Sequence, residues 1–111
     1  MEIKNETRLR GMLGFAMRAG KVHIGAETVS ALLSRKGSTD IRLVLIPHDA
    51  SLGARDKMIR RCTAHGIKCI VTDMDAAALG ELLGKLYAPS AVAISDDGFA
   101  KEILLAHGEQ Q

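Results

Sequence analysis

At 111 residues, 47% hydrophobic and 25% charged, the chain has enough apolar content for one continuous core and too little length for two, so a single domain over residues 1–111 is expected. No apolar run approaches a membrane span, and the opening Met1 to Glu6 lacks the apolar stretch of a secretory signal, which points to a cytoplasmic protein with no membrane partner. The net charge of +2 hides a division: residues 1–68 hold 13 Lys/Arg against 6 Asp/Glu, whereas residues 69–111 hold 2 against 7, an asymmetry that suits a basic face for a polyanion.

Residues 7–18 place Leu9, Met12, Leu13, Ala16 and Met17 at helical period, which predicts an amphipathic helix stopped by Gly20. Gly11 and Gly14 fall inside it, where they read as a small-residue packing notch and not as an RNA-clamping loop. Residues 21–24 form a short extended piece. Gly25 then turns the chain into a second helix ending near Arg35, with Val29, Leu32 and Leu33 facing inward. After a loop at residues 37–40, the nearly all-apolar residues 41–46 predict a strand covered on both faces. Ser51 is placed to cap a third helix that runs to about Ala64, with Arg55, Lys57, Arg60 and Arg61 on its wet side. A strand at 67–71, a short helix from Asp73 or Asp75 to Leu83, an irregular loop at 87–90, a strand at 91–94 and a helix from about Asp97 to Ala106 complete the chain. This alternation predicts an α/β fold, a three-layer α-β-α sandwich around a central mixed sheet of about four strands.

Strand ends that open into helix starts expose unpaired N–H groups suited to anions. At Ser95, Asp96 and Asp97 the acidic side chains are better placed to cap a helix than to perform acid–base chemistry. His48 stands at a strand's C-terminal end, where α/β proteins often bind ligands, but no Ser or Cys is placed beside it as a nucleophile. With no GxGxxG and no P-loop either, neither catalysis nor a cofactor is expected. Cys62, His65 and Cys69 have metal-like spacing without a fourth ligand, so the cysteines read as reduced, buried apolar residues and no metal is expected. Arg18 and Lys21 flank the turn into Gly25, Ala26, Glu27 and Thr28, where they are expected to neutralise phosphates; Arg35 and Lys36 add to the basic set. Aromatic residues at 3% exclude a base-stacking sheet, which makes structured RNA the better target.

Ala19, Gly20 and Lys21, then Gly25, then Leu43 to Ile46 with Asp49 to Ser51, then Ala78 to Gly80 with Gly84, and finally Ala91 to Lys101 resemble in order and spacing the kink-turn-binding ribosomal-protein superfamily, and within it the bacterial YlxQ-like branch. The resemblance spans about residues 9–105. It implies an α-β-α sandwich and a non-catalytic protein that binds structured RNA, kink-turn-like or ribosomal, with the ribosome as a further partner and a monomer as the default state. The family's Gly-x-Asn-Glu-x-x-Lys signature sets a helix N-terminus into a sharply bent RNA groove. Here Gly25 is kept, while Glu27, Thr28 and Ala31 stand at the Asn, Glu and Lys positions. A second contact loop corresponds to about residues 85–90, where Lys85 is expected to meet phosphate and Tyr87 either to stack on an extruded base or to pack inward. Two other readings stand beside this one: a protein-interaction domain whose RNA site has decayed, and an RNA-recognition subunit for a modifying enzyme on another chain.

Overall fold

The structure, a computed structural model, describes residues 6–35 and 40–108. In chain order its elements are α1 (Glu6–Arg18), β1 (Val22–Ile24), α2 (Ala26–Ser34), β2 (Leu43–Pro47), α3 (Leu52–Ala64), β3 (Lys68–Thr72), α4 (Ala76–Leu82), β4 (Val92–Ile94) and α5 (Asp97–His107). Lys36 and residues 37–39 of the predicted loop lie outside the described residues, as do residues 1–5 and 109–111.

The strands form one mixed sheet in the order β1-β4-β2-β3, with β4 antiparallel to both neighbours and β2 parallel to β3. The three layers follow from strand period: successive side chains of β2 point to opposite faces. Leu43 and Leu45 join Leu9, Leu13, Leu79 and Ile103 beneath α1, α4 and α5. Val44 and Ile46 join Val29, Leu33, Met58 and Cys62 beneath α2 and α3. Each fully buried Leu or Ile contributes on the order of 2 kcal/mol, so the sheet is held from both sides by aliphatic packing with few aromatics.

The predicted strand at 41–46 lies slightly further along, at Leu43–Pro47. Ile41 is buried in the α2–α3 core before the strand begins, and Pro47 closes it opposite Thr72, at a terminal position that spares the ladder a missing N–H. The packing-notch reading of Gly11 is overturned: it is exposed, and a Cβ there would meet nothing within 4 Å. Arg61 is half-buried and not on the wet side of α3, because it turns towards α2. No helix among the described residues is long and apolar enough to cross a membrane.

Strand directions decide where the helices begin. β1, β2 and β3 all run the same way, so α2, α3 and α4 start at one end of the sheet. The loop that feeds β4 arrives at that same end, while α5 starts at the other.

Candidate nucleic-acid interface

Three helix N-termini meet at this end of the sheet, and two are satisfied by their own residues. Ser51 Oγ accepts from the Ala54 N–H at 3.2 Å and caps α3. Asp75 Oδ1 accepts from the Ala78 N–H at 2.7 Å, and Asp49 Oδ1 reaches across from the β2–α3 loop to the Ala76 N–H at 2.8 Å, so α4 is capped twice. The turn into α2 is different. Its N-cap is Gly25, which has no side chain to offer, and no side chain caps this helix. An uncapped N-terminus with its first-turn amides unclaimed has the electrostatics of an anion site.

Gly25 is held from both sides. Its N–H donates to the Ala91 carbonyl at 2.9 Å, and its carbonyl accepts from the Val29 N–H at 2.9 Å. The bond to Ala91 joins the start of α2 to the end of the 85–90 loop, which makes the two predicted contact segments adjacent walls. Ala26 is half-buried, and Glu27 and Thr28 are exposed.

The loop wall rests on α4. The Lys85 N–H donates to the Gly80 carbonyl at 2.8 Å, Pro89 is buried, and the Tyr87 carbonyl sits where a Cβ on Gly80 would stand 2.2 Å away. This backbone contact turns the side chains outward: Tyr87 is 54% exposed and Leu86 fully exposed. Of the two roles open to Tyr87 in the sequence, only a surface one fits this geometry. Leu86 was missed in the sequence, because a single leucine in an irregular loop carries no periodic signal.

Arg18 and Lys21 are not beside Gly25. Ser95, at the far end of β4, donates its N–H to the Lys21 carbonyl at 2.9 Å. Four extended steps separate Lys21 from Gly25, roughly 13 Å. Both basic residues are exposed, and the Arg18 guanidinium lies 4.9 Å from the centre of the Phe15 ring. They therefore extend the surface along the β1 edge and do not complete the Gly25 turn.

At the opposite end Asp96 Oδ2 caps α5 through the Phe99 N–H at 2.9 Å, and Asp97 pairs with Arg42 at 2.9 Å. Cys62 is buried and Cys69 half-buried. A thiol hydrogen bond between them, together with burial, pushes the Cys69 thiol above its ordinary range. Among the described residues no group of three His, Cys, Asp or Glu side chains is arranged to hold a metal ion.

Comparison with known proteins agrees with this architecture. Residues 7–104 match the model of the Ribosomal protein L7Ae/L30e/S12e/Gadd45 family. A relative from Enterococcus faecium named RNA-binding protein YlxQ is 29% identical over 100 residues, covering 88% of this chain and 89% of its own. Among solved structures, a protein of unknown function from Bacillus halodurans superposes with a TM-score of 0.81 at 24% identity, covering 92% of this chain and 98% of its own. The Giardia lamblia 15.5kD RNA binding protein superposes with a TM-score of 0.71 at 16% identity, covering 94% and 85%. At these identities the two structures establish the shared fold, and the family match over nearly the whole chain establishes descent: the chain belongs to the Ribosomal protein L7Ae/L30e/S12e/Gadd45 family.

Proposed function

We propose that this protein binds structured RNA, a kink-turn-like bend or a ribosomal segment, through the uncapped start of α2 and the adjoining 85–90 loop, with the whole chain working as one RNA-binding domain. The observation that carries this reading is the pairing of Gly25 with Ala91, which sets an unclaimed helix N-terminus against a loop with an exposed cation, an exposed ring and an exposed aliphatic side chain. Membership in a ribosomal-protein family and the names of the Enterococcus and Giardia proteins support binding over catalysis. In this reading the amides of Ala26, Glu27 and Thr28 face a phosphate at the bend, Lys85 meets a second phosphate, and Tyr87 stacks on a base turned out of the helix. Arg18 and Lys21 contact backbone further along the β1 edge. Glu27 replaces an amide by a carboxylate, which brings a negative charge towards the phosphates.

The test compares affinity for a kink-turn RNA, a straight duplex of the same composition and ribosomal RNA fragments, using the native protein and Lys85→Ala with Tyr87→Ala. Kink-turn or ribosomal RNA should bind more tightly than the duplex. The double variant should lose about 10- to 100-fold, since one stacked base contributes about 1–3 kcal/mol. Equal binding of all three RNAs by both proteins sinks the proposal.

A further inference from the structure

Both helices on one face of the sheet, α2 and α3, begin at the candidate interface, and a groove of about 460 Å³ separates them. Its lining is mostly apolar, and Glu27, Ser30, Lys57 and Arg61 are its polar members. The groove opens against the uncapped first turn of α2, so it continues the interface and is not a separate feature.

Its charges are unbalanced. Lys57 and Arg61 lie four residues apart on α3, where like charges face each other and repel. Among the described residues neither lies within ion-pair distance of a carboxylate, and Glu27, although it lines the same groove, pairs with neither. Arg61 Nε is closed off from solvent and has no hydrogen-bond partner among the described residues. That atom lies beneath the surface, so a ligand meets only the outer part of the guanidinium. Positive charge is therefore in excess: the Arg61 guanidinium and the Lys57 ammonium both line the groove without a carboxylate partner among the described residues. What the groove lacks is an anionic acceptor.

We propose that the α2–α3 groove is a phosphodiester subsite, in which Lys57 and Arg61 grip a backbone phosphate of the RNA strand that passes the Gly25 turn. This inference rests on the RNA-binding reading and extends its footprint from the sheet end along α3. Phosphate suits the site chemically, because its oxygens accept from a guanidinium and an ammonium at once and its charge relieves their mutual repulsion. The Ser30 hydroxyl donates a third hydrogen bond. Glu27 at the mouth opposes the anion, so its carboxylate weakens the grip.

The experiment titrates a kink-turn RNA hairpin with the native protein and with Lys57→Ala, Arg61→Lys and Glu27→Gln at several salt concentrations. Lys57 is exposed, so its alanine variant keeps the fold, and thermal melting checks all four proteins. Lys57→Ala should bind about 5- to 10-fold more weakly and lower the salt slope by about one. Arg61→Lys, which keeps the charge and loses the planar fork of the guanidinium, should also weaken binding. Glu27→Gln should tighten it severalfold. Native affinity and slope for both Lys57→Ala and Arg61→Lys would overturn the groove; continued loss of binding in the Lys85 and Tyr87 variants would then leave the RNA-binding reading standing. A lower melting point for Glu27→Gln without tighter binding would mean that Glu27 serves Arg61 internally, and would also overturn it. Failure of the native protein to prefer any RNA removes the broader reading and the subsite with it.

Discussion

Gly25 is the residue on which the candidate interface turns. It adopts φ 108° and ψ 139°, a region that residues with a Cβ rarely enter. Space is not the obstacle, since an added Cβ would come no closer than 3.9 Å, to Thr28 Oγ1. The backbone itself is the constraint, and it has little room to relax because hydrogen bonds to Ala91 and Val29 hold it on both sides. Gly25→Ala is therefore expected to lower unfolding free energy by about 1–3 kcal/mol in urea titrations, with the m-value unchanged. This position was legible in the sequence, because a glycine between an extended piece and an amphipathic helix has few other uses. The distance of Lys21 from it was not. Four residues in sequence are one turn of helix or roughly 13 Å of strand, and only the pairing of β1 with β4 decides between them.

At the scale of elements, boundaries came from punctuation, as at the caps Ser51, Asp75 and Asp96. Tertiary support of a loop leaves no such mark. Gly80 reads as an ordinary small residue in a short helix, yet it is buried so that the Tyr87 carbonyl can approach. Gly80→Ala would put a Cβ 2.2 Å from that oxygen, and because the obstacle is backbone the loop must move. We expect a loss of about 1–3 kcal/mol in stability. RNA affinity should fall further than that loss alone explains, because Lys85 and Tyr87 shift with the loop. Gly11→Ala is the matching control. It lies on the exposed face of α1 with open space around it, so it should raise stability by about 0.5–1 kcal/mol and leave RNA binding unchanged. If both variants bind RNA as the native protein does, the 85–90 loop is not part of the interface.

For the whole molecule, the sequence divides into a basic and an acidic part, but the fold does not keep them apart. Insertion of β4 between β1 and β2 carries Asp96 and Asp97 to the end of the sheet where Lys21 lies. Asp49 and Asp75, at the interface end, are engaged in capping α4. No pattern along the chain announces this strand order, because apolar runs state that a strand is covered and not which strand lies beside it. The proposed interface draws on a dispersed set of cations: Lys85 in the loop, Lys57 and Arg61 in the groove, Arg18 and Lys21 along the β1 edge. If each meets one phosphate, five counterions leave the RNA on binding, and the logarithm of the affinity should fall against the logarithm of salt with a slope of about −3.5 to −4.5. Between 50 and 200 mM salt that corresponds to a loss of roughly 100- to 500-fold. A protein partner held by Leu86, Tyr87 and Leu52 would leave a much flatter dependence, since burial of apolar surface is weakened little by moderate salt. A slope near −1 on the preferred RNA would therefore remove most of the proposed phosphate contacts at once. Slopes of Lys21→Ala and Lys57→Ala that each fall by about one would place both the β1 edge and the α2–α3 groove on the RNA.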